Sequence, residues 1–199
     1  MKLWRSRRDL PRLEEDAGRS DILDQFKIRR EQVSDHARVY EIQKAAFGQD
    51  GEAHLVNTLR ERARPFVSLV AVKGDDLVGH VLFSPVTIEE TSSSENSKEA
   101  PTFAGLAPLA VTPETQSMGA GSALVRAGLQ ECARIGWQAV FLLGDPAYYS
   151  RFGFELAAEH GLRYESEAFD AGFQMIELVP DVLSECRGWV RYHEAFSDL

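Results

Sequence analysis

The segment LAVTPETQSMGAGSALV, at residues 109–125, has the composition of a tight turn between a strand and a helix. The first backbone amides of a helix have no intrahelical partners, and the aligned peptide dipoles place partial positive charge there. Gly119 and Gly121 would allow a phosphate or pyrophosphate to approach these amides closely. Glycines at such a turn also serve as packing residues, so the spacing alone leaves both an anion site and a purely structural turn open.

The metal-ligating and thiol side chains give no comparable signal. The histidines are scattered without carboxylates at metal-binding spacing; His80 falls inside a strand pattern and His160 in a loop pattern. Cys132 and Cys186 are far apart in the sequence and form no CxxC pair, so neither a disulfide framework nor a zinc site is indicated. The pattern around Cys132 predicts a buried packing residue.

Composition and charge exclude several classes of protein. With 199 residues, 44% hydrophobic and 27% charged, the chain fits one globular domain better than two. Its net charge of −9 opposes nonspecific binding to nucleic acid or to an anionic membrane, so we expect neither as a partner. No apolar run approaches the roughly 20 residues of a membrane span, and no apolar segment follows the basic N-terminus. We therefore expect a cytoplasmic protein.

The elements that would position the glycine turn follow from the apolar periodicity. Residues 1–26 have few apolar side chains and no regular period, which predicts an extension outside a single domain at 27–199; the extension would be mobile or docked on a partner. Within the domain the pattern predicts an α/β arrangement. The predicted elements are a helix after Ser34 that stops at Gly48, a helix at Glu52–Arg64, strands at 66–72 and 77–88, a flexible polar loop at 89–101, a strand at 103–111, a helix from about Gly121 to Gly136, a strand at 139–143, a short helix within 144–154, and one or two terminal strands or an edge packing element at 173–179 and 189–196.

Two motifs in register resemble a known family. The segment LAVTPETQSMGAG matches a strand followed by proline and then Q/R-x-x-G-x-G/A, with Gln116, Gly119 and Gly121 at the motif positions. Downstream, YSRFGF at 149–154 is similar to Y-x-x-x-G-F and follows the predicted strand AVFLL. Both belong to the GNAT (GCN5-related) N-acetyltransferase pattern, and GLAPLAV with LGDPAYYSRFGF resembles an uncharacterised bacterial branch of it. The resemblance covers about residues 27–196.

The resemblance implies a fold and a cosubstrate site. The fold would be a mixed, mostly antiparallel central sheet flanked by helices, with splayed strands forming an acetyl-CoA cleft. Strand backbone would pair with pantetheine, and the amides of the glycine turn would hold the pyrophosphate. The family commonly has an Asn where this chain has Asp145, which accepts hydrogen bonds but cannot donate them when ionised. The implied acetyl-CoA contacts are Leu109, Ala110, Val111, Gln116, Ser117, Met118, Gly119, Ala120, Gly121, Ser122 and Asp145, with no metal.

The resemblance also implies catalytic roles. Tyr149 occupies the family tyrosine position, where its phenol would protonate the departing thiolate as the general acid. With pKa values of about 10 for a phenol and about 8.5 for a thiol, this transfer is modestly uphill and works best while the thiolate is forming. A core aromatic is the other interpretation of Tyr149, and the favoured one for Tyr148. Glu52 and His54, at the start of the second helix, are candidate bases, although ordinary surface side chains explain them as well.

The reaction class follows from the resemblance, and the acceptor does not. The expected activity is acetyl transfer from acetyl-CoA to a primary amine by direct attack in a ternary complex. The alternatives are an inactive CoA-binding regulatory or interaction module, and a thiol- or hydroxyl-directed or longer-chain acyltransferase. Small-molecule, peptide and protein acceptors all stay open. A homodimer would fit the apolar C-terminal segment.

Overall fold

The structure is a computed structural model that describes residues 25–90 and 102–198. Residues 1–24 of the predicted extension and 91–101 of the predicted polar loop lie outside the described residues. The helices are α1 (His36–Phe47), α2 (Gly51–Arg62), α3 (Ala120–Arg134) and α4 (Pro146–Tyr149). The strands are β1 (Lys27–Arg30), β2 (Val67–Lys73), β3 (Asp76–Glu90), β4 (Phe103–Val111), β5 (Ala139–Leu143), β6 (Glu155–Leu156), β7 (Leu162–Arg163), β8 (Phe173–Glu177) and β9 (Gly188–Arg191).

The strands form a mixed sheet in the order β1-β2-β3-β4-β5-β8-β6, and β9 pairs with both β3 and β7. All pairs in the main path are antiparallel except β4–β5. The predicted hairpin of β2 and β3 is present, with Lys73 opposite Asp76 at its turn. The expectation of a mostly antiparallel sheet flanked by helices is therefore confirmed.

Alternation along the strands divides the core between two faces of the sheet. One face packs against α3, whose buried Leu124, Val125 and Cys132 meet Val81 and Phe83 of β3. The predicted packing role of Cys132 is confirmed, because its side chain is fully buried. The opposite face packs against α1 and α2 above β2 and β3, and against the C-terminal segments above β4 and β5.

Three parts of the chain differ from the predicted pattern. We expected Phe26 to lie in the extension, but its side chain is 4% exposed and joins the α3-side core, directly before β1. Strand β1 was not predicted, because this four-residue edge strand, KIRR, has no alternation of apolar and polar residues. The segment 189–196 is not one strand: β9 ends at Arg191 and a 3₁₀ helix spans Glu194–Asp198, where Arg62 of α2 pairs with Glu194.

A buried polar chain crosses the face under α1. Gln43 Nε2 donates to His80 Nδ1 at 2.8 Å, and His80 Nε2 lies 2.8 Å from Ser68 Oγ. Ser68 donates in turn to Glu31, which also pairs with Arg60. Each donor in the series finds an acceptor when the imidazole is neutral with its proton on Nε2. Desolvation of the fully buried ring lowers the pKa of His80 to about 4, despite the opposing attraction of Glu31.

His80 should make stability depend on pH between about 4 and 6.5. Its folded pKa lies below the unfolded value, so the unfolded chain binds the proton more tightly as the pH falls through this window. The free energy of unfolding should then drop by up to about 3 kcal/mol. Urea unfolding at pH 4.5 to 7 measures the effect, and His80→Gln should remove most of the slope. His54→Gln, at an exposed ring, is the control; equal slopes in both variants would contradict the assignment.

None of the helices in the described part of the chain is long and apolar enough to span a bilayer.

Candidate functional site

A gap opens in the sheet between β4 and β5. The parallel register joins Phe103–Gly105 to Ala139–Phe141 and ends there. Among the described residues, the C-terminal half of β4 therefore has no strand partner on the β5 side. A bulge in β4, between the residues opposite Val81 and Phe83, adds to the change of direction. We call the point where pairing ends, at Gly105 and Phe141, the vertex of the gap.

The backbone of β4 presents hydrogen-bonding groups to this gap. The Thr112 amide donates to Val78 on β3 at 2.9 Å. The preceding carbonyl, of Val111, must therefore point away from β3, and it accepts from Gln116 Nε2 at 3.2 Å. By strand alternation Leu109 shares this orientation, whereas the backbone of Ala110 faces β3 opposite His80. Of the three residues predicted to pair with pantetheine, Leu109 and Val111 face the gap and Ala110 does not.

The predicted glycine turn leads from β4 into α3. Ser117 and Gly119 have positive φ values of 61° and 99°, so the chain coils tightly before the helix begins at Ala120. The first intrahelical bond of the cap runs from Ala123 to the Gly119 carbonyl at 3.0 Å. The amides of Ala120, Gly121 and Ser122 therefore have no intrahelical acceptor, and the first turn carries no acidic side chain. These amides form a site suited to an anion.

The end of β4, the start of α3 and α4 meet at Gly121. A Cβ atom at this position would lie 2.9 Å from the Tyr148 hydroxyl oxygen and 3.7 Å from Val111 Cγ2. The same hydroxyl lies 3.5 Å from Ser122 Oγ. Glycine at this position therefore leaves room for the Tyr148 hydroxyl beside the first turn of α3.

Two positively charged side chains near the glycine turn were not predicted from the sequence to belong to the site. Lys73, at the end of β2, places Nζ 4.0 Å from Met118 Sδ in the turn. The Arg151 guanidinium lies 4.8 Å from the centroid of the Tyr148 ring. Lys73 adds positive charge at the glycine turn and Arg151 adds it beside Tyr148, in a chain of net charge −9. Nothing in the sequence indicates Lys73, because strand pairing alone brings it beside a turn 45 residues away.

Tyr149 lies on the α3 side of the sheet and is the last residue of α4. Its ring packs edge-to-face on Tyr148 and Phe154, with centroid distances of 4.9 and 5.8 Å. The ring also covers Gly144, where a Cβ atom would come within 3.0 Å of Tyr149 Cδ2. Burial raises the pKa of Tyr149 well above that of a free phenol. The hydroxyl therefore stays protonated at neutral pH, and within the described residues it has no hydrogen-bond partner.

Asp145 has a structural role in this segment. It is the N-cap of α4, where Oδ1 accepts from the Ala147 amide at 2.9 Å, and Pro146 follows at the first helical position. The carboxylate fixes the turn that presents Tyr149.

The candidate bases lie on the opposite side of the sheet, at the start of α2. The half-buried carboxylate of Glu52 accepts from Gln49 Nε2 at 3.2 Å. The exposed His54 ring lies 3.4 Å from the Tyr40 hydroxyl. No hydrogen bond, ion pair or ring contact joins Glu52 or His54 to Tyr149 in the described ranges, so both stay sequence predictions.

Residues 25–90 and 102–198 contain no group of three or more His, Cys, Asp or Glu side chains arranged to hold a metal ion.

Comparison with known proteins extends these observations. A family model described as an acetyltransferase (GNAT) domain matches residues 27–157. YhbS of Escherichia coli (strain K12), named as an uncharacterized N-acetyltransferase, is 39% identical over 173 residues, which are 85% of this chain and 98% of that protein. YjhQ of the same strain, named in the same way, is 42% identical over 127 residues, or 63% of this chain and 67% of that protein.

Solved structures match the fold. The crystal structure of E. coli YhbS in complex with CoA is 38% identical with a TM-score of 0.78, covering 87% of this chain and 92% of that one. A GNAT family acetyltransferase from Brucella melitensis, in complex with acetyl-CoA, is 32% identical with a TM-score of 0.67, covering 86% and 97%. The predicted fold is confirmed by these matches together with the family model. This chain belongs to the GNAT acetyltransferase family.

Proposed function

We propose that this chain transfers the acetyl group of acetyl-CoA to a primary amine by direct attack in a ternary complex. The observation that carries the proposal is the gap between β4 and β5, with the unpaired amides of α3 after the end of β4 and Tyr149 in α4 after the end of β5. A single extended acetyl-CoA molecule would reach from these amides to Tyr149. The CoA and acetyl-CoA complexes of the two similar proteins support the same ligand here.

The pantetheine arm would add to the sheet along β4. Leu109 and Val111 offer backbone groups on the gap side, as an edge strand does for an added peptide. The pyrophosphate would accept from the amides of Ala120, Gly121 and Ser122, with Gln116 holding the end of β4 in place. Lys73 and Arg151 would add positive charge that the backbone cannot supply.

The reaction needs proton transfers at two atoms, the amine nitrogen and the leaving sulfur. An amine with a lysine-like pKa of about 10.4 must first lose a proton, for which Glu52 is the candidate base. The neutral amine then attacks the thioester carbonyl carbon. A C–N bond forms and the C–S bond breaks, while Tyr149 gives its proton to the leaving sulfur. The second proton of the attacking nitrogen leaves with formation of the amide, and the phenol is reprotonated.

The state of the cysteines favours direct attack over a covalent acetyl-enzyme. Cys132 is fully buried under α3, and burial raises its pKa far above that of a free thiol. A buried neutral thiol is a poor nucleophile. Within the described residues Cys186 is the other cysteine, and its Sγ lies 3.7 Å from the Val182 carbonyl.

Release of free CoA thiol in the presence of a panel of primary amines tests the proposal. We expect acetyl-CoA turnover with at least one amine, and initial-rate lines that intersect when both substrates are varied. Parallel lines would point to an acetyl-enzyme and contradict the ternary complex. Saturable acetyl-CoA binding without thiol release for any amine, peptide or protein acceptor would favour the alternative, an inactive CoA-binding module.

A further inference from the structure

A third tyrosine lies at the vertex of the gap. Tyr192 follows β9, and a Cβ atom at Gly105 would lie 2.8 Å from its Cζ, the atom that carries the hydroxyl. Gly105 is the last residue of β4 that pairs with β5. The absence of a side chain at Gly105 is therefore what allows the phenol to sit against the backbone where the two strands separate.

Tyr192 and Tyr149 approach the sheet from opposite faces. Tyr149 packs with the α3-side core, whereas Tyr192 belongs to the core of Phe103 and Phe141 on the other face. The gap between β4 and β5 thus has one phenol on each face of the sheet.

The Tyr192 hydroxyl has no partner in the described part of the protein. Its oxygen is buried and makes no hydrogen bond there. Ser84, directly opposite Gly105 on β3 and on the same face, also has a buried hydroxyl that finds no partner among residues 25–90 and 102–198. Buried polar groups in folded proteins are nearly always hydrogen-bonded, and leaving one unpaired destabilises the protein. Two such groups therefore lie beside one residue, Gly105, at the vertex of the gap.

The surroundings of Tyr192 make it a hydrogen-bond donor and exclude it as a base. Its ring neighbours are Tyr164 and Phe196, with centroid distances of 5.3 and 4.9 Å. Burial raises the pKa of Tyr192 far above that of a free phenol. A phenol that stays protonated can donate to an oxygen atom but cannot remove a proton from an ammonium group at neutral pH.

We infer that the Tyr192 hydroxyl donates to the acetyl carbonyl oxygen of the bound thioester, from the face opposite Tyr149. The inference rests on the proposed function, because a thioester that runs along β4 would bring its acyl group toward the vertex. The carbonyl oxygen gains negative charge as the amine attacks, so a donor fixed at that point would bind the transition state more tightly than the ground state. Ser84 would support the same oxygen or the incoming amine.

Calorimetric titration with acetyl-CoA and with CoA separates this role from packing, since CoA lacks the acetyl carbonyl. In Tyr192→Phe the affinity for acetyl-CoA should fall about two- to tenfold, while the affinity for CoA stays the same. The unligated variant should melt at the same or a higher temperature, because an unpaired buried hydroxyl has been removed. Tyr164→Phe is the matched control, from the same aromatic cluster, and should leave the ratio of the two affinities unchanged.

The other outcomes overturn the inference. An unchanged affinity ratio in Tyr192→Phe would show that the hydroxyl does not contact the acetyl group. An equal loss of affinity for acetyl-CoA and for CoA would show that Tyr192 contributes only packing at the vertex. If the wild-type protein binds neither ligand, the proposed function itself fails and the inference fails with it, which is distinct from either result with the variant.

Discussion

Replacing Tyr149 with phenylalanine should lower kcat by at least about 100-fold, the usual contribution of a positioned general acid. The affinity for acetyl-CoA should stay within about twofold, because the ring, its edge-to-face contacts and its packing over Gly144 are retained. Without the phenol the sulfur would leave as a thiolate in a partly desolvated site. Steady-state kinetics with an active amine, together with calorimetric titration of acetyl-CoA, measure the two quantities.

Tyr148→Phe is the matched control for that variant. Tyr148 is adjacent in the sequence and in ring contact with Tyr149, and its hydroxyl lies 3.5 Å from Ser122 Oγ at the start of α3. We expect at most a small loss of affinity and little change in kcat. Unchanged turnover in Tyr149→Phe, or equal losses of turnover in both variants, would remove Tyr149 from the general-acid role.

A glutamate at Gly121 should abolish binding of acetyl-CoA, with a loss of at least about 100-fold, or about 2.7 kcal/mol. The new side chain would start 2.9 Å from the Tyr148 hydroxyl oxygen and place a carboxylate among the amides of the first turn of α3. It would compete with the pyrophosphate for those donors and repel its charge. Calorimetric titration of the purified variant with acetyl-CoA measures the loss.

Gln130→Glu controls for the added charge. It introduces the same negative charge at an exposed position of the same helix, away from the amides of the first turn. Its affinity for acetyl-CoA should match that of the wild-type protein. If Gly121→Glu binds acetyl-CoA as tightly as Gln130→Glu, the phosphates do not lie at the start of α3.

The parts of the site that the sequence predicted are those made by neighbours along the chain. The strand, the glycine turn and the helix at 109–125 follow one another directly, so an anion site was one of two interpretations of their composition, and the family motifs then favoured it. The apolar face of α3 was also predicted, because the helical spacing of its apolar residues can be read along the chain. Tyr149 needed the family resemblance as well, because adjacent tyrosines at 148 and 149 look alike in the sequence.

The parts that the sequence did not predict depend on contacts between distant segments. Tyr192 reaches the vertex only because β9 pairs with β3 and brings the C-terminal segment over Gly105. In the sequence Tyr192 was one residue of an apolar pattern that fitted a terminal strand or an edge packing element. Lys73 reaches the turn through sheet pairing. Backbone direction is also invisible in a sequence, which is why Ala110 was grouped with Leu109 and Val111 although it faces β3.

The most direct test of the account is a crystal structure of the protein with acetyl-CoA bound. We expect the pantetheine amides to pair with Leu109 and Val111, and the pyrophosphate oxygens to lie about 3 Å from the amides of Ala120–Ser122. The thioester sulfur should lie within about 3.5 Å of the Tyr149 hydroxyl. A cosubstrate bound outside the gap between β4 and β5, or a sulfur atom beyond the reach of Tyr149, would contradict the proposed site.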